Sequence, residues 1–142
     1  MELRHYVAGF ALSDRGTVLL IQKLKPEWQR GKLNGVGGSI EPGETPAEAM
    51  VREFSEETGL VTEPSYWAHF ATVTTPVSKV WFFAADLDIE HAKTTTAETV
   101  FEVPLDTDWD RMTPNLRWLL PLATRARDLA APVEVHNVTE EG

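Results

Sequence analysis

Residues 44–60 hold the most restrictive pattern in the chain, a full set of signals for starting, running and stopping one amphipathic helix. Thr45 can cap the first turn, Pro46 suits the first helical position, and Glu48 stands where a capping box needs an acceptor for the cap's own N–H. Gly59 supplies the stop. Ala47, Met50, Val51, Phe54 and Thr58 recur at helical spacing and predict the buried stripe. Glu53, Glu56 and Glu57 fall within an arc of roughly 100° centred away from that stripe, so they are expected to project into one region. Like charges at such spacing cost about 0.2–0.5 kcal/mol per pair, and the last turn already carries the negative end of the helix dipole. Arg52, four residues before Glu56, relieves part of this repulsion. Hard divalent cations held by carboxylate oxygens would relieve more.

The rest of the chain reads as short strands with one further helix. Residues 6–12 and 17–22 predict a hairpin around Ser13-Asp14-Arg15-Gly16. Residues 25–38 carry Pro26, Gly31, Gly35, Gly37 and Gly38, enough breakers to predict a long shaped loop. Residues 66–74 and 79–86 read as a strand pair around Pro76, and 99–103 as a short strand. Thr113-Pro114 resembles a second helix start, with Leu116, Leu119, Leu120 and Ala123 as its apolar face and Pro121 implying a kink or a later start. Helices mixed with short strands predict an α/β fold, an α/β/α sandwich around a mixed sheet. One domain spans 1–142, with a loose, polar and acidic tail expected from about residue 131.

Composition narrows the chemistry. No cysteine is present among the 142 residues, which removes disulfides, zinc-thiolate sites and thiol nucleophiles and leaves carboxylate, His, Ser/Thr and Lys chemistry. A net charge of −9 disfavours polymeric nucleic acid and anionic membrane as partners, since both select clustered Lys and Arg. A small anionic substrate stays compatible if bound cations reverse the local field. No apolar run approaches a membrane span, and the first ten residues lack the features of a secretory signal, so a cytoplasmic location is expected. Monomer and homodimer both remain open.

Residues 38–60 match the Nudix box at every specified position: Gly38, Glu44, Arg52, Glu53, Phe54, Glu56, Glu57, Gly59 and Leu60, in register. The chain therefore resembles the Nudix hydrolase family, MutT-like members in particular. The resemblance implies a Nudix fold, a sandwich around a mixed curved sheet, and metal-dependent hydrolysis of a phosphoanhydride in a nucleoside diphosphate-linked substrate. It implies Glu53, Glu56 and Glu57 as ligands of Mg²⁺, with Mn²⁺ as the alternative, and the Gly37 carbonyl as a further ligand. Arg52 would hold a glutamate, and Glu44 would steady the ligand set. The general base would come from the box, as Glu53 or Glu56, or from a later loop, where Glu98 resembles the loop glutamate of MutT-type enzymes and could also reach the metal. Glu90 and Glu102 compete for that part.

For the substrate, residues 31–38 resemble the Asn-Gly-x-Gly-Gly element of the branch that removes oxidised purine nucleoside triphosphates as monophosphate and pyrophosphate. There Asn34 would read the base; the alternative is an Asn-Gly turn needing positive φ. The region from Phe101 to Trp118 is similar to one that closes the base pocket in that branch. It departs at Thr113, where an aromatic would stack, and at Asn115, where an acid would pair with the purine; Ser39 replaces a common Lys. Lys23 is a candidate phosphate contact. Trp28 and Trp67 are either stacking residues or core, and His5, His69, His91 and His136 show no metal-ligand spacing. Alternative substrates on the same box are ADP-ribose, another nucleotide sugar or a dinucleotide. A sensor domain without catalysis is the reading from another class, and the intact box opposes it.

Overall fold

The computed structural model describes residues 3–25, 27–107 and 109–136. Its strands are β1 (Arg4–Leu12), β2 (Thr17–Gln22), β3 (Leu33–Asn34), β4 (Val36–Ser39), β5 (Ala68–Thr74), β6 (Ser78–Asp86), β7 (Val100–Pro104) and β8 (Val133–His136). The helices are α1 (Pro46–Thr58) and α2 (Leu116–Ala123). The sheet runs β3-β2-β1-β6-β5-β8, with β4 also on β1 and β7 on β2. Strands β1 and β6 pair in parallel from Arg4 opposite Ser78 to Leu12 opposite Asp86, β5 and β8 are parallel, and the other pairs are antiparallel. This is the α/β/α sandwich on a mixed sheet.

The central strands are apolar at consecutive positions because both sheet faces are covered. Along β2, Val18 and Leu20 join the core under α2, while Leu19 and Ile21 join the core under α1. Along β6, Phe82 and Ala84 face α2, and Phe83 and Ala85 face α1. Met50 and Phe54 anchor α1 and are fully buried, each contributing about 1.5–3 kcal/mol of apolar burial. Trp67 packs edge-on against Phe54 with ring centroids 5.0 Å apart and donates its indole N–H to Thr62, so this tryptophan belongs to the core.

The caps of α1 form as the sequence predicts. The Thr45 hydroxyl accepts from Glu48 N–H, the Glu48 carboxylate accepts from Thr45 N–H, and Gly59 closes the helix at φ 78°. In the stripe, Ala49 is buried, whereas Ala47 and Val51 are only partly covered. Helix α2 starts later than Thr113-Pro114, at Leu116, after a tight turn in which Leu116 N–H donates to Thr113 O; it keeps Pro121 inside.

Three expectations are corrected. Residues 25–38 are not a continuous loop: a 3₁₀ turn (Glu27–Gln29) is followed by β3 and β4, because the glycine-rich stretch finds backbone partners on β2 and β1. The strand expected from residue 66 begins at Ala68, since Pro64–Tyr66 forms a 3₁₀ turn. The tail expected to be loose from about residue 131 pairs as β8 with β5, Ala71 opposite Val133 to Thr74 opposite His136. Its remainder, 137–142, lies outside the described residues. Among the described residues no helix is long and apolar enough to cross a membrane.

Candidate functional site

Arg52 is the hub of the acidic face of α1. Its Nε and Nη2 grip both oxygens of Glu44, at 2.7 and 2.9 Å, in the parallel fork that a guanidinium makes with a carboxylate. Nη1 donates to Glu53 at 2.9 Å and reaches Glu56 at 3.4 Å, and Nη2 also donates to the Ser39 carbonyl. Glu44 in turn accepts from the Glu41 backbone N–H. One side chain thus ties the end of β4, the turn before α1 and two helical glutamates together. The Arg52 hydrogen bonds and the Glu41 amide hold the Glu44 carboxyl down at about 2.

Glu57 is buried although helical spacing places it away from the apolar stripe. It is only 9% exposed, and its Oε2 is buried with no hydrogen-bond partner among the described residues. Burial, then the nearby charge of Glu53, push its carboxyl up to about 7, while Lys23 and the Gly37 backbone amide oppose the rise. Glu53 is raised by burial too, against the hydrogen bond from Arg52. Of the β4 glycines, Gly38 makes room for Glu53 and Gly37 for the backbone of β1. A Cβ on Gly38 would stand 2.5–2.6 Å from the Glu53 carboxyl group, and one on Gly37 would meet the Val7 carbonyl oxygen at 1.9 Å. Glu56 is the exposed member of the three. As placed, Glu53 and Glu56 turn to Arg52, and no group of three acids encloses a common point among the described residues.

Glu98 approaches from the far side. Its Oε2 accepts from Leu24 N–H at 2.8 Å, and its Oε1 lies 3.5 Å from Lys23 Nζ. The 93–98 loop is docked on the end of α1, where Lys93 N–H donates to Thr58 O and the Thr95 hydroxyl donates to Glu56 O. Glu98 and Lys23 both act on the charge of Glu57, so the three share one region. The competing acids are committed elsewhere. Glu102 is paired to Arg15 and Thr17, and Glu90 lines a separate cleft of about 460 Å³ in which none of the α1 glutamates takes part.

Asn34 is not a positive-φ turn. No non-glycine residue described has positive φ, nor does Gly35, and Asn34 pairs with Ile21 in β3. Its Oδ1 accepts from Gly35 N–H at 2.7 Å and its Nδ2 donates to Gln29 Oε1 at 3.0 Å. Gln29 is absent from the sequence-derived candidates, because a lone Gln in a polar loop carries no spacing signal. The residues before α2 lie beside this strand: Met112 bridges Leu33, and Thr113 N–H donates to Leu33 O. Asn115 stands at the start of α2 with its Oδ1 accepting from the Thr113 hydroxyl, and Thr113 is buried. Trp28 is 45% exposed on the neighbouring turn. His5 stacks on Trp81 and His69 bonds Thr72, both apart from the glutamates.

Comparison with known proteins shows the family and the fold. A family model described as NUDIX domain matches residues 3–121. The mouse protein named 8-oxo-dGDP phosphatase NUDT18 is 35% identical over 96 residues, which are 61% of this chain and 29% of that protein. The Escherichia coli 8-oxo-dGTP diphosphatase is 30% identical over 63 residues, 44% of this chain and 49% of that one. The chain thus spans under half the length of these curated relatives in the matched regions. The crystal structure of a NUDIX hydrolase from Nitrosomonas europaea superposes with a TM-score of 0.74 at 18% identity, covering 99% of this chain and 81% of that one. With the family match running from the first strand into α2 and the box in register on α1, the chain belongs to the Nudix family.

Proposed function

We propose that the protein hydrolyses a phosphoanhydride in a purine nucleoside di- or triphosphate carrying an oxidised base, releasing the monophosphate, with a divalent cation as cofactor. One observation carries the reading: a buried, partnerless Glu57 oxygen lies near a second desolvated carboxylate, Glu53, in a recess that Gly38 leaves open to Glu53. Burying such a group without compensation costs several kcal/mol in the extreme, so the recess fits a cation that completes it. Glu57, Glu53 and Glu56 would hold Mg²⁺, or Mn²⁺, with the Gly37 carbonyl as a further ligand. When bound, the ion supplies positive charge against the phosphoryl oxygens.

The chain's own residues do the rest. Arg52, held by Glu44, orients Glu53 and Glu56 and keeps their mutual repulsion in check. Lys23 exchanges its contact with Glu98 for a phosphate oxygen, which leaves Glu98 free to take the proton of an attacking water. Asn34 and Asn115 meet the base. The two relatives differ in the printed substrate, a diphosphate in one and a triphosphate in the other, but share the oxidised deoxyguanosine part. The test is a panel of unmodified and oxidised nucleoside di- and triphosphates, ADP-ribose and dinucleotides, assayed with Mg²⁺ and with EDTA. Turnover of the oxidised purines with release of phosphate or pyrophosphate is expected. Turnover confined to ADP-ribose or dinucleotides, giving a sugar phosphate or two mononucleotides, would replace this substrate, and no turnover of any would leave the catalytic reading without support.

A further inference from the structure

The amide of Asn34 can be turned end for end with almost no change in shape, but the turn exchanges donor for acceptor. One bond sets its sense and a second anchors its other end. Gly35 N–H can only donate, so it demands Oδ1, and the Gln29 side chain, presenting Oε1, takes the Nδ2 that this leaves facing it. Each bond uses part of the amide and leaves one N–H and one lone pair, a donor beside an acceptor, for a ligand. Gly35 is held where it is by the Phe10 ring and the Gly9 carbonyl, which a Cβ there would meet at 3.0–3.1 Å. Gln29 is held by its turn: Lys32 N–H donates to Gln29 O, Gly31 N–H to Lys23 O, and Lys23 N–H to Lys32 O, each at 2.8 Å.

We propose that Gln29 is a positioning residue for base selectivity: by accepting the Asn34 Nδ2 hydrogen it anchors the free end of the Asn34 amide, whose sense Gly35 N–H sets, in the position that reads the base. This rests on the nucleotide reading above, and it assigns Gln29 no part in phosphate chemistry. Its loss frees one end of Asn34 and lowers selectivity, while Gln29→Glu, which keeps an acceptor at the same reach, preserves it.

The test is calorimetric binding of 8-oxo-dGMP, dGMP and dCMP to the metal-free full chain, in wild type, Gln29→Ala, Gln29→Glu, Asn34→Ala and the Gln29→Ala/Asn34→Ala double variant. Monophosphates isolate base recognition from hydrolysis. Wild type is expected to prefer 8-oxo-dGMP, and Gln29→Ala to narrow the preference about three- to tenfold, the worth of one hydrogen bond. Gln29→Glu should retain it, and the double variant should bind no worse than Asn34→Ala, since the two residues act as one unit. Equal weakening of all three ligands in Gln29→Ala, or an unchanged preference, would overturn the role of Gln29 while leaving the nucleotide reading intact. A wild type that shows no preference among the bases would overturn both.

Discussion

Arg52 and Glu44 form a two-bond fork, Nε to Oε2 at 2.7 Å and Nη2 to Oε1 at 2.9 Å, across the turn that leads into α1. The same guanidinium reaches Glu53 and Glu56, so the fork sets where two of the three helical acids lie. Arg52→Lys keeps the charge but not the fork. It is expected to lower kcat/KM about 10- to 100-fold, as loss of a residue supporting a ligand set does, and to lower the urea midpoint at pH 6 as well, because Glu44 loses its fork.

The fork also makes a pH prediction. Glu44 titrates at about 2 in the fold against an ordinary 4.5. A carboxyl depressed by folding adds stability that is fully present above the unfolded value and is withdrawn as pH falls through the folded one. Urea unfolding of wild type and Glu44→Gln should therefore differ at pH 6 and converge as the pH falls from 4.5 toward 2. A constant gap across that range would count against the pairing.

Gly37 and Gly38 separate two effects. A methyl at 37 meets a backbone carbonyl that cannot move, so Gly37→Ala is expected to destabilise the fold by about 3 kcal/mol or more, in the range reserved for severe core errors. A methyl at 38 meets the end of a flexible glutamate, which can swing away. Gly38→Ala should thus keep most of its melting temperature and lose turnover, because Glu53 is displaced. Equal melting temperatures for the two variants would contradict the geometry.

Glu57→Gln removes a desolvated charge and keeps its shape. Turnover is expected to fall by at least about 10²-fold, while the metal-free protein is as stable as wild type or more so, since the uncompensated charge is gone. Mg²⁺ at a hundredfold excess over its Kd stabilises a specific binder by about 2.7 kcal/mol. Differential scanning fluorimetry should show that rise in wild type and not in Glu57→Gln. The same rise in both would remove Glu57 from the ligand set.

Glu98→Gln keeps a hydrogen-bond acceptor for Leu24 N–H but cannot take a proton. It is expected to lower kcat by about 10²- to 10⁴-fold, the usual worth of a general base, with small change in KM. Glu102→Gln, which loses only a contact to Arg15 and Thr17 on the surface, should leave kcat unchanged. Comparable losses in the two variants would rule out a special part for Glu98.

What the sequence determined by itself was local and periodic. Thr45, Pro46, Glu48 and Gly59 define α1 through contacts within a few residues, and the box register places Arg52 and the glutamates on it without reference to the rest of the chain. The long strands were legible for the same reason, as runs of apolar residues bounded by turns. Only the tertiary structure decided what depends on partners distant in sequence. The glycine-rich stretch became β3 and β4 because β2 and β1 offered free edges, and 133–136 became a strand because β5 did. Helical spacing gives the angle of Glu57 around the axis but not what stands opposite it. That Glu57 is buried, that Gly38 leaves room for Glu53 beside it, and that Gln29 meets Asn34, follow from packing between segments that no local pattern encodes.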